Sequence, residues 1–221
     1  MIIGIVGGVG CGKSTVLTYL KEKYNAYIIE ADKVAKEIME KGNEVYNKVI
    51  REFPESLDKD DNIDRKKLAK IVFNDAKKLE TLNNITHPGT IKEITDRINN
   101  SSNQLVIVES AILIGSGIDK MCDEIWYVYC DLEKRIKRLM DSRGYSEEKT
   151  RNVIMNQMSE EEFNRVSDEF IDNSNSEEET HEQIDFETLF PILLHLGMLS
   201  LLYLVWYLVL QMQLLILVLL L

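Results

Sequence analysis

One stretch near the start of this sequence, GGVGCGKS at residues 7–14, constrains the fold more than any other feature. It matches the pattern G-x-x-x-x-G-K-[ST] in full, an apolar run at residues 2–6 leads into it, and a helical pattern begins near Lys13. In this pattern the glycines turn backbone N–H groups toward one anion, the lysine reaches nucleotide phosphates, and the serine ligates Mg²⁺. The order of strand, loop and helix therefore predicts a nucleotide-phosphate loop in an α/β protein.

Four further apolar runs extend this α/β interpretation. They lie at residues 27–29, 105–109, 124–131 and 169–172, and with the first run they predict a five-stranded parallel sheet. In the long interval between the second and third runs, apolar residues recur at helical spacing. A crossover of one helix would not need such length. We therefore predict a helical insertion at about residues 33–100, and its place at the C-terminal edge of the sheet favours substrate binding.

The overall charge restricts the class of partner. Acidic residues outnumber basic ones, 37 to 26, and the net charge is −11. A nucleic-acid-binding protein needs a basic surface, so we expect no nucleic-acid partner. The three cysteines form no C-x-x-C pair, and the N-terminus lacks the basic segment of a secretory signal. These features are typical of a protein in the reducing cytoplasm.

The sequence also distinguishes among classes of phosphate-loop protein. A GTPase would carry the guanine-reading pattern N-K-x-D, which is absent from the sequence. A motor ATPase usually has an apolar strand that ends in Asp-Glu, whereas the nearest segment here, LVIVES, places Glu109 at its end. Both differences favour a kinase that phosphorylates a small molecule.

Two groups outside the loop have more than one interpretation. Asp32 ends the second apolar run, in IIEAD, and either accepts a proton from an attacking hydroxyl group or caps the following helix. The stretch RIKRLMDSRGYSEEKTRNVIMNQ carries four arginines, which either approach the transferred phosphate from a mobile helical hairpin or lie on a solvated surface. They are Arg135, Arg138, Arg143 and Arg151. Spacing alone leaves both questions open.

Seven motifs, taken in order, resemble one known family, dephospho-coenzyme A kinase. They are GGVGCGKST, EADKVAKEI, IDRKKLAKIVF, THP, RIKRLMDSRG, NQMSEEE and FIDNS, and the similarity extends from Met1 to about Asp185. The family has a phosphate-loop core, a helical insertion that binds coenzyme A and a helical lid. It transfers the γ-phosphate of ATP to the ribose 3′-hydroxyl of dephospho-CoA, the last step of coenzyme A synthesis. The resemblance implies a kinase domain at residues 1–187, with the insertion at about 33–100 and a lid at about 138–165.

The resemblance also implies roles for individual residues. Asp32 would be the base near the acceptor hydroxyl, and His87, in the His-Pro of the insertion, would lie near the substrate or have a structural role. Asn173 would lie beside the adenine of ATP, and Ser14 would ligate Mg²⁺. The groups acting on the transferred phosphate would be Lys13, Arg138 and Arg143. The residues binding ATP phosphates would be Gly8, Gly10, Cys11, Gly12, Lys13, Ser14 and Thr15.

Several positions depart from the family pattern. The family commonly has Asp where this chain has Glu30, and Glu where it has Gly115, so a carboxylate on the coenzyme A side is lost. Apolar residues after the His-Pro are replaced by Gly89 and Thr90. Cys11 stands where Ser or Ala is common. Beside a helix N-terminus its thiol is either inert or has a lowered pKa and is readily oxidised.

The last part of the sequence differs in composition from the rest. Residues 188–221 contain no Asp, Glu, Lys or Arg, and the final amphipathic helix of the family is predicted to break off near residues 181–187. The uncharged run exceeds the about 20 residues that a membrane span needs. It is a membrane tether through residues 190–221, a non-native end produced by a frame error, or a segment packed on the kinase. This end and Gly115 leave open a nucleotide-binding regulator without transfer activity. Another nucleoside or nucleotide kinase is the alternative within the same class, although the insertion and the ordered motifs argue against it.

Overall fold

A computed structural model of the chain describes residues 1–73 and 75–195, with side chains up to residue 188. The chain divides into two compact units, Met1–Ser174 and a second unit that begins at Asn175. The first unit contains the sheet, the helices of the insertion and the helices that correspond to the predicted lid.

All five strands of the sheet are parallel. They are β1 (Ile2–Val6), β2 (Tyr27–Glu30), β3 (Val106–Glu109), β4 (Glu124–Tyr129) and β5 (Glu169–Asp172), in the order β2-β3-β1-β4-β5. The predicted five-stranded parallel sheet is confirmed. Because β1 is the central strand, the loop that follows it opens at the C-terminal edge between two neighbouring strands.

Helix α1 (Lys13–Tyr24) follows the glycine-rich loop and returns the chain to β2. Its apolar residues recur at helical spacing, and Val16, Leu17 and Leu20 are buried. Asn25 ends the helix in the left-handed conformation, with a φ of 52°. The strand, loop and helix predicted from the sequence are thus one continuous βαβ unit, which fixes the start of α1 at the edge of the sheet.

Among the described residues, four α-helices fill most of the interval between β2 and β3. They are α2 (Ala31–Glu37), α3 (Glu44–Glu52), α4 (Arg65–Phe73) and α5 (Ala76–Asn100). Each contributes buried apolar residues to a core that also includes Ile29 of β2, and examples are Val34, Val49, Leu68 and Ile94. The insertion therefore packs as an extension of the sheet's own core. Its role in substrate binding stays a prediction.

Close packing between α3 and α5 accounts for glycine at the first position after the His-Pro. A Cβ atom on Gly89 would collide with the side chain of Val45. Thr90 is buried, and its hydroxyl donates to the carbonyl of Thr86 at 2.9 Å. A bulky apolar residue at position 89 would therefore push the two helices apart.

The predicted place of Asp32 at the end of the strand and its predicted helix cap are both wrong, whereas its role as proton acceptor stays a prediction. Strand β2 ends at Glu30, and Asp32 lies with its side chain exposed in the first turn of α2. Glu30 is the residue that precedes the helix, and no side chain caps it. Asp32 therefore neither ends the strand nor caps the helix, because Ala31 already has helical backbone. A carboxylate in the first turn of a helix is stabilised by the helix dipole.

Three helices occupy most of the predicted lid interval. They are α6 (Leu132–Arg143), α7 (Glu147–Met155) and α8 (Glu160–Val166). Helix α6 ends at Gly144, whose φ of 62° suits glycine, and its residues Ile136 and Leu139 are buried. Helix α8 begins with a capping box formed by Ser159 and Glu162. One face of α6 thus packs on the core, and its movement as part of a lid stays a prediction.

The second unit contains helix α9 (Glu177–His195). The hydroxyl of Ser176 accepts the N–H of Glu179 at 3.2 Å in its first turn. The helix continues through residues 181–187, so the predicted break there is wrong. No helix formed by the described residues is both long and apolar enough to cross a membrane. The three interpretations of the tail concern residues 188–221, of which residues 196–221 lie outside the described part of the chain.

Candidate active site

The glycine-rich loop joins β1 to α1 and presents backbone donors. Gly10 and Gly12 have φ angles of 83° and 85°, in the left-handed region that L side chains rarely adopt. Helix α1 has no side-chain cap and no acidic residue in its first turn. Its first N–H groups and the positive end of its dipole therefore face the space where an anion would bind.

Lys13 folds back over its own loop. Its Nζ donates to the carbonyl oxygens of Gly7 at 2.9 Å and Gly8 at 3.5 Å, and lies 3.5 Å from a carboxylate oxygen of Glu109. Glu109 ends β3, directly beside β1. The ammonium group is thus held by oxygen atoms next to the loop, and phosphate oxygens are the ligands that would replace them.

Glu109 is a site residue to which the sequence patterns assign no role. Burial raises the pKa of its carboxyl group, Lys13 opposes this, and the nearby charges of Asp32 and Glu30 raise the pKa further. In the sequence, Glu109 stands out only as the acidic residue that closes the apolar run of LVIVES. Its place at the C-terminal end of a strand expected to flank β1 is the signal that identifies it, because such strand ends line the ligand site of a parallel sheet.

The carbonyl of Cys11 anchors the loop from its other side. Asn173 follows β5 directly, and its Nδ2 donates to this carbonyl at 2.7 Å. Arg138 Nη1 lies 3.5 Å from the same oxygen, and Arg138 Nη2 donates to the carbonyl of Asn173 at 3.1 Å. Asn173 is only 4% exposed. Its amide nitrogen therefore holds the loop in place, and its predicted contact with adenine stays a prediction.

The side chain of Cys11 lies in the core. It is fully buried, and desolvation raises the pKa of its thiol although the charges of Arg135 and Lys13 oppose this shift. The alternative of a thiol with a lowered pKa is therefore wrong, because burial outweighs the nearby positive charges. Cys11 contributes its backbone to the loop.

A cavity of about 550 Å³ opens beside the loop. Its lining combines the loop with Glu30 and Glu109 from the strand ends and with Arg138 and Arg143 from α6. Arg143 is exposed, and its guanidinium lies 6.0 Å from the ring centre of Tyr145. Whereas Arg138 bonds to backbone carbonyls, Arg143 is a cation that can turn toward a ligand in this cavity.

Ser14 is the candidate magnesium ligand. Its side chain is exposed and lines the same cavity. In the part of the chain that the structure describes, no three His, Cys, Asp or Glu side chains converge as a metal site. A cation here would depend on Ser14 and on phosphate oxygens, an arrangement that suits Mg²⁺, which uses few protein ligands when it binds a nucleotide.

Five predicted site residues are not among the described residues that line this cavity: besides Cys11 and Asn173, whose positions are given above, they are Asp32, Thr15 and His87. Asp32 is exposed on α2, although its charge acts on Glu109. The N–H of Thr15 donates to the carbonyl of Gly12 at 3.0 Å. His87 is exposed in α5, next to Pro88. Their predicted roles stay predictions.

The loop after β3 differs from the family pattern in shape as well as in charge. Gly115 has a φ of 77°, and its N–H donates to Oδ2 of Asp119 at 2.9 Å. A glutamate would rarely adopt this backbone conformation. The loss of the family's carboxylate at this position is therefore accompanied by a turn that glycine permits.

Comparisons with known proteins place the chain in a family. The sequence model of the family described as dephospho-CoA kinase (CoaE) matches residues 1–179. The chain belongs to the dephospho-CoA kinase family. A dephospho-CoA kinase from Carboxydothermus hydrogenoformans is 42% identical to it over 187 residues, which cover 83% of this chain and 90% of that protein.

Solved structures agree with this family assignment. The Thermus thermophilus protein TT1252 has a TM-score of 0.73 and 28% identity, and the match covers 86% of this chain and 96% of that one. A dephospho-CoA kinase from Campylobacter jejuni has a TM-score of 0.58 and 26% identity, covering 83% and 93% of the two chains. As a member of the dephospho-CoA kinase family the chain is an enzyme that uses ATP as a kinase, and neither alternative function is favoured.

Proposed function

We propose that this chain transfers the γ-phosphate of ATP to the ribose 3′-hydroxyl of dephospho-CoA, giving coenzyme A and ADP. The observation that carries the proposal is the cavity whose lining joins the phosphate loop, two acidic strand ends and the arginines of α6. Phosphoryl transfer to a hydroxyl group requires a held phosphate donor, a proton acceptor and positive charge on the transferred group. The acceptor is inferred from the family and from the names of its relatives.

On the donor side, the loop amides and Lys13 bind the ATP phosphates. Lys13 exchanges its contacts with Gly7 and Glu109 for the β- and γ-phosphates, as lysines of this loop type do. The exposed hydroxyl of Ser14 would hold Mg²⁺, which when bound neutralises phosphate charge. The uncapped start of α1 supports this assignment, because its N–H groups have no competing side-chain acceptor.

On the acceptor side, Asp32 accepts the proton of the attacking hydroxyl. Glu30 is the nearest competitor, because it lines the cavity. However, Lys33 Nζ lies 2.6 Å from Oε1 of Glu30, so this carboxylate is already paired. Asp32 has no ion pair within the described residues, which leaves its carboxylate free to accept a proton. The insertion, which begins with α2, would hold the rest of the acceptor.

Positive charge on the transferred group comes from Arg143. This side chain lines the cavity and is exposed, so it can reach the γ-phosphate as charge develops on its oxygens. Arg138 holds the loop through the carbonyls of Cys11 and Asn173 and contributes its charge from there. The two predicted lid arginines thus divide into one that shapes the donor site and one that approaches the substrate.

The experiment that tests the proposal offers the full chain several acceptors. Purified protein is incubated with ATP and Mg²⁺ and, in turn, with dephospho-CoA, AMP, CMP and nucleosides, and products are measured by chromatography with mass detection. We expect coenzyme A and ADP in equal amounts with dephospho-CoA. The Lys13→Met variant is the control for contaminating kinases. Transfer to a nucleoside or nucleotide acceptor alone would establish the alternative kinase, and ATP binding without transfer would establish the regulator.

A further inference from the structure

The peptide of Val9, within the phosphate loop, is held on both sides by residues from outside the loop. Its N–H donates to Oε1 of Gln157 at 3.0 Å, and its carbonyl accepts from Nε of Arg135 at 3.2 Å. Arg135 Nη2 also donates to Oε1 of Gln157, at 3.1 Å. These three hydrogen bonds form a closed ring, which we call the Val9 clamp.

Arg135 is unusual for a helical arginine because it is buried. Only 6% of its surface is exposed, and no carboxylate of the described residues lies within ion-pair distance of it. A buried cation without a counter-ion is costly, so stability of the fold does not explain it. Its charge does act on the loop, since it lowers the thiol pKa of Cys11 against the effect of burial. An anion bound at the loop would therefore stabilise the buried positive charge of Arg135.

The clamp also accounts for the second glycine of the loop. Gly8 is buried, and a Cβ atom there would collide with Nη2 of Arg135 and lie 3.1 Å from Oε1 of Gln157. Unlike Gly10 and Gly12, Gly8 has no positive φ that would require glycine. The absence of a side chain at position 8 thus leaves room for the guanidinium and the amide that hold Val9.

We propose that Arg135 and Gln157 are positioning residues for ATP binding. By fixing both sides of the Val9 peptide they set the curvature of the loop, so that the amides that follow converge on the phosphates. Arg135 adds a buried positive charge behind the loop. Gln157 lies between α7 and α8, so the same contacts link these helices to the loop. The proposal rests on the proposed function only in taking the loop as the ATP site.

The first test separates nucleotide binding from stability. The Kd for ADP is measured by titration calorimetry for Arg135→Met, Gln157→Leu and a matched control, Lys137→Gln, which removes an exposed charge from the same helix. We expect Arg135→Met and Gln157→Leu each to raise the Kd about tenfold, and Lys137→Gln to leave it unchanged. Because a buried unpaired charge is removed, Arg135→Met keeps its thermal midpoint within about 3 °C of the original or raises it. Unchanged ADP affinity, or loss of affinity that only follows a lowered midpoint, would overturn the proposal.

The second test asks whether the two residues act on one peptide. Gln157→Glu keeps two acceptor oxygens for Val9 and Arg135, and we expect its Kd to stay within about threefold of the original. The double variant Arg135→Met with Gln157→Leu is expected to bind ADP no more than about threefold weaker than the worse single variant. A double variant whose increase in Kd equals the product of the two single increases would contradict the clamp. A Gln157→Glu variant that binds ADP as weakly as Gln157→Leu would contradict it as well. These measurements of ADP affinity need no acceptor. They therefore test the role of Arg135 and Gln157 even if the chain does not phosphorylate dephospho-CoA.

Discussion

The ammonium group of Lys13 lies 3.5 Å from the carboxylate of Glu109, and the two side chains are only 20% and 18% exposed. The contact joins the phosphate loop to the end of β3. It places a half-buried carboxylate next to the position of the ATP phosphates, where desolvation first, and then the charges of Asp32 and Glu30, raise its pKa. The Glu109 carboxylate is therefore a source of instability at neutral pH that the site retains.

This relationship predicts how stability depends on pH. The folded chain holds the Glu109 proton more tightly than the unfolded chain, because the pKa is raised above its ordinary value of 4.5. Stability contributed by this group is complete below that value and is lost as pH rises through the folded-state pKa. We expect Glu109→Gln to raise the thermal midpoint at about pH 7.5 and to lose this advantage near about pH 4.5. The midpoint is measured by differential scanning fluorimetry across this range.

Asp119 provides a control of opposite sign. Backbone N–H groups, that of Gly115 first, lower the pKa of its carboxyl group. The stability it contributes is present above its ordinary value of 3.8 and is lost as pH falls through the lower folded-state pKa. Asp119→Asn should therefore lower the midpoint at neutral pH and differ less in acid. If Glu109→Gln behaves as Asp119→Asn does, the account of Glu109 is incorrect.

The two lid arginines should differ in their kinetic effects. Arg143→Met is expected to lower kcat about 10²-fold with little change in nucleotide affinity or stability, because the side chain is exposed and acts on developing charge. Arg138→Met should mainly weaken ADP binding, because it removes the donors to the carbonyls of Cys11 and Asn173. Steady-state kinetics and calorimetry on both variants measure this split. Equal loss of kcat and affinity in both variants would refute the division of roles.

Asn173 should contribute to stability through one hydrogen bond to the loop. Asn173→Ala removes the donor to the carbonyl of Cys11, at 2.7 Å, in a buried position, and should lower the free energy of unfolding by about 1–3 kcal/mol. Asn173→Asp should cost more, because a buried carboxylate would face a carbonyl oxygen. Urea unfolding measures both values. If Asn173→Ala has the same free energy of unfolding as the original chain, this role is contradicted.

The cysteines should be unreactive in the folded chain. Burial raises the pKa of Cys11 and of Cys130, and that of Cys122 is raised to about 11. Since the thiolate is the reactive form, we expect iodoacetamide at about pH 8 to modify none of the three until the protein unfolds. Peptide mass mapping before and after urea treatment provides the measurement. Rapid labelling of Cys11 in the folded state would support the oxidisable thiol that its burial argues against.

Local sequence patterns predicted much of the fold and of the donor site. The loop, its strand and α1 follow from residues that are adjacent in sequence, and apolar runs of strand length identified the four other strands. Motif order identified the family. These features depend on spacing within a few residues, which is the information that a single sequence carries directly.

Contacts between distant segments could not be predicted in this way. The amide of Asn173 reaches Cys11 across 162 residues, and no spacing rule relates the two positions. Arg135 was interpreted as one of several solvated or lid arginines, because a charged residue in a helix is usually exposed. Only the packing of α6 shows that it is buried against Val9. Likewise, only the start of α2 at Ala31 shows that Glu30 lines the cavity and Asp32 does not.

The central claim is that a phosphate held at the loop is transferred to a hydroxyl group whose proton Asp32 accepts. The most direct measurement is the turnover of dephospho-CoA by Asp32→Asn, with Glu30→Gln as the matched variant of the neighbouring carboxylate and ADP affinity as the check on the donor site. We predict that Asp32→Asn lowers kcat by about 10²-fold or more with nearly unchanged ADP affinity, and that Glu30→Gln has a much smaller effect. Near-normal turnover by Asp32→Asn would contradict the account.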